Sequence, residues 1–295
     1  MLLIGGSGML GSDVLSALQR SGHEVVAPSS GELSVTDSAS VGQISSGEFG
    51  EFDWCLNCSA YTAVDKAETE QEEAMALNAV APGALAIECE SAGCRLLHVS
   101  TDFVFDGAGL QPYSEDSPTH PLGVYGKSKL EGELAVLASH PEGVIFRTAW
   151  LYGPNGGSFP RTMIRAWEAG KTLKVVSDQL GCPTYTGDLA AAMVQAVGLN
   201  PVPGVYHAVG PDVMSWHEFA VLALETWREL VESDQEVQVS PITSVDWPTP
   251  ARRPTFSVLA TEKLQGLGVG PFRETSVALK EFCRRLRESH GAAGI

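Results

Sequence analysis

The stretch Tyr125-Gly126-Lys127-Ser128-Lys129 sets a phenol and an ammonium four residues apart, a spacing that puts both on one face of a helix. Leu130, Leu134 and Leu137 follow at helical spacing, so Tyr125 and Lys129 are expected at the start of a helix whose other side is packed. A free tyrosine titrates near about 10, too high for proton exchange at neutral pH. A lysine cation beside it is expected to favour the phenolate and bring that value toward the working range of acid–base catalysis. Alone, the pattern far more often describes a solvated helix face, so its weight rests on what accompanies it.

Two stretches accompany it. The opening Leu2-Leu3-Ile4-Gly5-Gly6-Ser7-Gly8-Met9-Leu10-Gly11, followed by Val14, Leu15 and Leu18, reads as strand, tight turn and helix. Gly5, Gly8 and Gly11 have the spacing that lets a backbone approach a dinucleotide pyrophosphate at a helix N-terminus. The second, Leu96-Leu97-His98-Val99-Ser100-Thr101-Asp102, is a strand ending in hydroxyls, where open α/β sheets place their sites. The 2′ position of a dinucleotide is read at the end of the second strand, here Val25-Val26-Ala27-Pro28-Ser29-Ser30-Gly31-Glu32. That end has neither the carboxylate that selects NAD nor the arginine that selects NADP. Ser29 and Ser30 can bond either group, and Glu32 can turn inward. Both NADH and NADPH are therefore expected to serve, within one to two decades of each other.

Positioning these groups calls for an α/β fold built on a doubly wound parallel sheet. Residues 1–150 alternate accordingly, with strands expected at Leu2–Ile4, Glu24–Ala27, Phe52–Cys58, Arg95–Ser100 and Gly143–Arg147. Helices are expected at Met9–Ser21, Ser38–Ser45, from Glu68 to Ala92, and from Tyr125. The Gly-, Pro- and Ser-rich stretch Phe105–Leu122 is expected to be an ordered lid over the strand-end site. Residues 151–295 read as a smaller mixed α/β lobe for substrate, with segments interleaved with the first domain. Its helices start near Phe159, Thr186 and Ser215, short strands lie at Lys174–Val176 and Val205–His207, and a last helix runs from Thr275 to Glu288. A Pro-rich stretch at 247–254 interrupts the lobe.

A chain of 295 residues with 44% apolar content can bury a large core. Its net charge of -17 argues against nucleic acid and anionic membrane as partners, so an anionic substrate must be met by locally placed cations or helix N-termini. No apolar run reaches membrane-spanning length and no leader is read, so a cytoplasmic location is expected. Cys55, Cys58, Cys89, Cys94, Cys182 and Cys283 are accordingly expected as free thiols. Cys55 and Cys58 have a metal-like spacing, but on a strand they face opposite ways and no second pair follows. His98, inside a strand, reads as a satisfied core histidine.

Taken in order and spacing, the glycine turn, the Ser-Thr strand end and Tyr-x-x-x-Lys resemble the extended short-chain dehydrogenase/reductase superfamily, which has a Rossmann-type fold. Further segments resemble the dTDP-4-dehydrorhamnose reductase family. They are Asn57-Cys58-Ser59-Ala60-Tyr61-Thr62-Ala63-Val64-Asp65-Lys66-Ala67-Glu68, Ser100-Thr101-Asp102-Phe103-Val104-Phe105, Arg147-Thr148-Ala149-Trp150-Leu151-Tyr152, Asp178-Gln179-Leu180-Gly181-Cys182-Pro183-Thr184 and Pro248-Thr249-Pro250-Ala251-Arg252-Arg253-Pro254.

The resemblance implies a reductase in which NADPH or NADH reduces the C4 ketone of a dTDP-6-deoxy-4-hexulose, giving dTDP-L-rhamnose or a related deoxysugar nucleotide. It implies Tyr125 as general acid, Lys129 as the group that lowers its pKa and holds the nicotinamide ribose, and Thr101 on the carbonyl oxygen. Gly5, Gly8, Met9, Leu10 and Gly11 would meet the pyrophosphate; Ala60, Tyr61 and Thr62 the ribose and nicotinamide side; Glu32 and Leu33 the adenine. Asp102 and Trp150 would touch the sugar. Arg252 and Arg253, on a proline-stiffened loop, would clamp the diphosphate. Phe103 departs from the tyrosine of many members. Some members join subunits through carboxylate-held magnesium, a pattern that only Asp13 matches, so no structural metal is expected, while a homodimer stays open. Two alternatives share much of this pattern: a non-catalytic subunit similar to the methionine adenosyltransferase partner, and a nucleotide-sugar epimerase.

Overall fold

The structure, a computed structural model, describes residues 1–292, with side chains through Ser289. Strand β1 (Leu2–Ile4) leads through the glycine turn into α1 (Met9–Arg20), and α2 (Ser38–Gly42) precedes β2 (Trp54–Asn57). Next come α3 (Val64–Ala67), α4 (Gln71–Met75), a π-helical turn (Ala76–Val80) and α5 (Ala81–Ala92), so the expected helical stretch from 68 to 92 is found from Gln71 onward, widened to π geometry in its middle. β3 (Arg95–Thr101) runs into a 3₁₀ turn (Asp102–Val104), followed by α6 (Val124–Ser139) and β4 (Val144–Thr148).

The second half holds β5 (Leu151–Tyr152), α7 (Phe159–Glu168), β6 (Leu173–Val176), β7 (Leu180–Gly181), β8 (Thr184–Tyr185), α8 (Thr186–Leu199) and β9 (Gly204–His207). It closes with β10 (Met214–Ser215), α9 (Trp216–Leu230), β11 (Val239–Ile242), α10 (Glu262–Gly266) and α11 (Thr275–Ala292). A Ser215–Glu218 capping box starts α9, satisfying N–H groups that the first turn leaves open.

Five strands form a parallel sheet in the order β1-β2-β3-β4-β9. The strand expected at Glu24–Ala27 is reduced to one bridge, Val26 to Leu2, on the free edge of β1, because Pro28 and the turn at Ser29 end the extended run at once. Alternate residues serve opposite faces. Leu3, Leu56, Leu97 and Phe146 pack with α1 and α8 residues such as Val14, Leu18, Leu189 and Met193. Leu2, Cys55, Leu96 and Ile145 pack with α5 and α6 residues such as Leu85, Cys89 and Val136. Helices on both faces make the sheet doubly wound.

The domain division expected near residue 150 is crossed by segments of the second half, as the interleaving expected there requires: α8 packs on the nucleotide-binding face, and β9 pairs with β4 inside the main sheet. A separate core of Tyr152, Ile164, Trp167, Phe219, Trp227 and Phe282 gathers α7, α9 and α11 into the smaller lobe. Asp13 on α1 ties the end of the chain back to its beginning, accepting from Arg285 at 2.7 Å and from Thr186 at 2.5 Å.

The packing of α6 meets one expectation in part: Leu130 packs against the core of Val104 and Phe105, but the other two leucines do not. Leu134 and Leu137 are exposed, and the buried face is Gly126, Ser128, Lys129, Gly132, Glu133 and Val136. Polar side chains face inward because the structure provides partners for them: Ser128 meets Asn78, while Glu133 meets Ser100 and Arg147. Gly132 lies so close to the π-helical turn that a Cβ there would stand 2.0 Å from the Asn78 carbonyl oxygen.

Candidate active site

After β1 the chain passes first to one side, at Val26, and then to the other, at β2. The strand ends part there and leave the crevice that open α/β sheets use for ligands. A groove of about 350 Å³ occupies it, lined by Ile4, Gly5, Ser7, Gly8, Pro28, Ser30, Leu33, Ser34, Val35, Thr36, Cys58, Ser59, Ala60 and Leu77. Gly8 caps α1 with no side-chain hydrogen bond, so the N–H groups of its first turn remain available. Gly5 has φ +77°, and a Cβ on Gly11 would lie 2.0 Å from the Gly5 carbonyl oxygen, so the turn requires glycine at both positions. Met9 and Leu10 follow on α1, Leu10 buried against the sheet. The uncapped helix end and the glycine cradle suit a dinucleotide pyrophosphate.

The adenine end departs from expectation at Glu32. Its carboxylate does not line the groove; it accepts from the Ser29 backbone N–H and hydroxyl, both at 2.8 Å, and those bonds hold it below the usual carboxylate range. Leu33 does line the groove. Ala60 lies in the wall, whereas Tyr61 is held outside it, its N–H donating to Asn78 at 2.8 Å and its hydroxyl to Glu70. Thr62 is exposed beyond it. Pro28 and Ser30 belong to the second-strand end read from the sequence as the 2′ region, whereas Ser34, Val35 and Thr36 were not expected.

Beyond the groove, β3 delivers Thr101 and α6 delivers Tyr125 and Lys129. The Tyr125 phenol stands near the Thr101 hydroxyl, whose Oγ1 donates to Asp102 Oδ1 at 3.0 Å while accepting from the Phe103 N–H at 3.2 Å. The Phe103 ring meets the Tyr125 ring edge-on at 5.4 Å. The expected lowering of the tyrosine by lysine is not found. Burial pushes the Tyr125 hydroxyl up to about 12 and the Lys129 amine down to about 8. The amine instead donates to the Val99 carbonyl at 2.6 Å and lies 3.2 Å from His98 Nε2. Asp102 is 1% exposed, and burial, opposed by the Ser257 and Thr101 hydroxyls, raises it to about 6.

Behind this cluster lies a buried ion pair that sequence reasoning missed. Arg147 Nη2 donates to Glu133 Oε2 at 2.7 Å and its Nε to Oε1 at 2.9 Å, while Ser100 donates to Oε1 at 2.5 Å. On the far side Trp150, at φ +46°, stacks on Trp216 with ring centroids 3.5 Å apart. A Cβ on Gly181 would stand 2.4 Å from the Trp150 ring, so the indole is held between α9 and β7. Arg253 is not a free cation: it grips Asp65, whereas Arg252 beside it is exposed. The stretch expected as a lid is anchored. Phe105 and Tyr113 stack at 4.2 Å in a core shared with Val258 and Leu259, and the Tyr113 N–H donates to Val258 at 2.9 Å. All six cysteines are free, and no group of three or more metal-ligating side chains occurs among the described residues.

With this geometry the chain is an oxidoreductase of the extended short-chain dehydrogenase/reductase class. The family model described as RmlD substrate binding domain matches residues 1–288. The dTDP-4-dehydrorhamnose reductase of Streptomyces griseus is 43% identical over 285 residues, covering 95% of this chain and 91% of that protein. A crystal structure of a dTDP-4-dehydrorhamnose reductase from Clostridium acetobutylicum superposes with a TM-score of 0.90 at 36% identity, over 97% of this chain and 99% of the other. The Bacillus anthracis enzyme, solved in complex with NADP, gives 0.88 at 30% identity, over 95% and 97%. The chain belongs to the dTDP-4-dehydrorhamnose reductase family.

Proposed function

We propose that the protein reduces the C4 ketone of a dTDP-linked 6-deoxy-4-hexulose to the alcohol, with NADPH or NADH as reductant, giving dTDP-L-rhamnose or a closely related deoxysugar nucleotide. The observation that carries this reading is the placing of Thr101, Tyr125 and buried Lys129 together where β3 ends next to a glycine-cradled groove. Bound in that groove, the reduced nicotinamide supplies a hydride to C4. The residues of the chain do the rest. Gly5, Gly8, Met9, Leu10 and Gly11 receive the pyrophosphate on the backbone, and Leu33 and Ala60 wall the adenine and ribose. Lys129 holds the nicotinamide ribose.

Negative charge grows on the C4 oxygen as the carbonyl is reduced, and a hydroxyl already in place answers it without reorganisation. Tyr125 donates its proton to that oxygen, and Thr101, turning its hydroxyl hydrogen from Asp102, donates to the same oxygen. Proton transfer from a phenol raised to about 12 is downhill toward an alkoxide, whose conjugate alcohol is a weaker acid still. Trp150 gives the sugar a flat wall, Asp102 a buried polar contact, and Arg252 a cation for the diphosphate.

A nucleotide-binding unit centred on residues 1–150, completed by α8 and β9, and a substrate lobe built on α7, α9 and α11 are the domains of this reading. A homodimer is supported by the exposed Ile87 of α5 and Leu134 and Leu137 of α6, and a cytoplasmic location by the six free thiols. Among the described residues no helix is long and apolar enough to cross a membrane.

The test is incubation with NADPH or NADH and the dTDP-4-keto-6-deoxy sugar, following absorbance at the nicotinamide band together with the product. Cofactor consumed in step with product formation supports the reductase. Redox-neutral isomerisation would make the protein an epimerase, and silence beside tight binding of a methionine adenosyltransferase would make it a regulatory subunit.

A further inference from the structure

Lys129 ends a chain of buried polar groups whose hydrogens can be placed by donor and acceptor logic alone. The sheet register sets Asn57 of β2 beside His98 of β3. Asn57 Oδ1 faces the Ser59 backbone N–H at 3.0 Å and the Ser59 hydroxyl at 2.6 Å. A backbone N–H can only donate, so the Asn57 atom facing it is the oxygen and the atom facing His98 is the NH₂ group. That NH₂ lies 3.1 Å from His98 Nδ1, which must therefore accept.

His98 is wholly buried, and burial holds its imidazole neutral by pushing its pKa well below the usual range. A neutral imidazole with a bare Nδ1 carries its proton on Nε2. That N–H points at Lys129 Nζ, 3.2 Å away. An ammonium has three hydrogens and no lone pair, so it would set donor against donor there. A neutral amine accepts from Nε2–H and still donates to the Val99 carbonyl at 2.6 Å.

We infer that Ser59, Asn57 and His98 form a tautomer lock that favours the neutral amine of Lys129, making Asn57 and His98 positioning residues that set the protonation of the lysine. The other groups facing the amine favour the cation: Glu133, one turn along α6, and Cys58 at the end of β2. The Glu133 carboxylate is largely occupied by Arg147 and Ser100, which limits its pull. The lock therefore works with burial, and Lys129 exchanges its proton near neutrality instead of remaining a fixed cation. That consequence rests on the role proposed for Lys129, whereas the lock itself does not.

Two measurements on the protein without added ligand test it, and neither depends on activity. Long-range ¹H–¹⁵N spectra of the histidine rings report the tautomer directly, with His98→Gln identifying the His98 signals by their loss. The Nε2–H form is expected throughout pH 7 to 9, and an Nδ1–H form or an imidazolium would overturn the inference. A ¹³Cε titration of Lys129 supplies the second reading. His98→Gln can offer the ammonium a carbonyl oxygen, so its Lys129 midpoint is expected to rise by about one pH unit or more; an unchanged midpoint would show that the lock does not set it. Should His98→Gln fail to fold, Asn57→Asp gives Nδ1 an acceptor and is expected to move the His98 proton to Nδ1. Retention of the Nε2–H form in Asn57→Asp would count equally against the lock.

Discussion

Arg253 closes on Asp65 through two N–H···O bonds of 3.0 and 2.9 Å, and the same carboxylate takes the Ala251 backbone N–H at 3.2 Å. The Pro-rich loop is thereby fastened to α3 of the nucleotide-binding half, and the two neighbouring arginines are given different tasks. Arg252→Ala is expected to raise KM for the nucleotide sugar about tenfold with kcat within about threefold, because a diphosphate contact is shared by ground and transition states. Arg253→Ala and Asp65→Asn should resemble each other, since each frees the loop. The pair is partly exposed, so its loss should change stability by only about 1 kcal/mol or less. A silent Asp65→Asn beside a damaging Arg253→Ala would show Arg253 touching the substrate instead.

The Glu133–Arg147 pair is of another kind, since both side chains are buried, at 2% and 5% exposure. Removing one partner strands the other charge away from water. Arg147→Met is expected to cost about 3–5 kcal/mol of unfolding free energy in a denaturant titration. A loss under about 1 kcal/mol would mean that water reaches Glu133.

Much of the frame was legible because it depends on local pattern. The helix starts at Phe159, Thr186 and Ser215, the strand at Arg95 and the placing of Tyr125 in the first turn of its helix all follow from periodicity and caps. What could not be read locally was which face of α6 is buried. Leu134 and Leu137 give the apolar signal, yet Ser128, Lys129 and Glu133 point inward because Asn78, His98, Ser100 and Arg147 await them from elsewhere in the chain. The His98–Asn57 contact likewise exists only through strand register, 41 residues apart in sequence. The lowering of Tyr125 by Lys129 failed for a related reason: helical spacing puts both groups on one face but does not aim the amine, which His98 and Val99 hold.

Asp102 makes stability depend on pH. Its carboxyl rises from the ordinary 3.8 to about 6 on folding, so the folded protein holds this proton more tightly than the unfolded chain does. Its contribution is therefore fully present below about pH 4 and is lost as pH rises through about 6. Asp102→Asn has no such titration and should gain on the wild type by up to about 3 kcal/mol across that window. Denaturant midpoints measured from pH 4 to 8 check this, and a difference independent of pH would place the Asp102 pKa near its ordinary value.

Among the described residues no charged side chain lines the groove at the adenine end, and Glu32 is held away by Ser29. NADH and NADPH are accordingly expected to differ in kcat/KM by no more than about 1.4–2.8 kcal/mol, one to two decades. Glu32→Ala should change their ratio less than about threefold. Steady-state kinetics at saturating sugar decide both points, and a shift of more than about tenfold toward NADPH in Glu32→Ala would mean that this carboxylate turns into the groove.

The most direct measurement concerns Tyr125, the proton donor of the proposed reduction. Tyr125→Phe keeps the ring that meets Phe103 and removes only the hydroxyl beside Thr101. Turnover should fall by about 10²–10⁴-fold, the loss typical of a positioned acid, while the NADPH dissociation constant, read from nicotinamide fluorescence, stays within about threefold. A variant that oxidises NADPH against the dTDP-4-keto sugar at near-wild-type rate would contradict the assignment of Tyr125 as that donor.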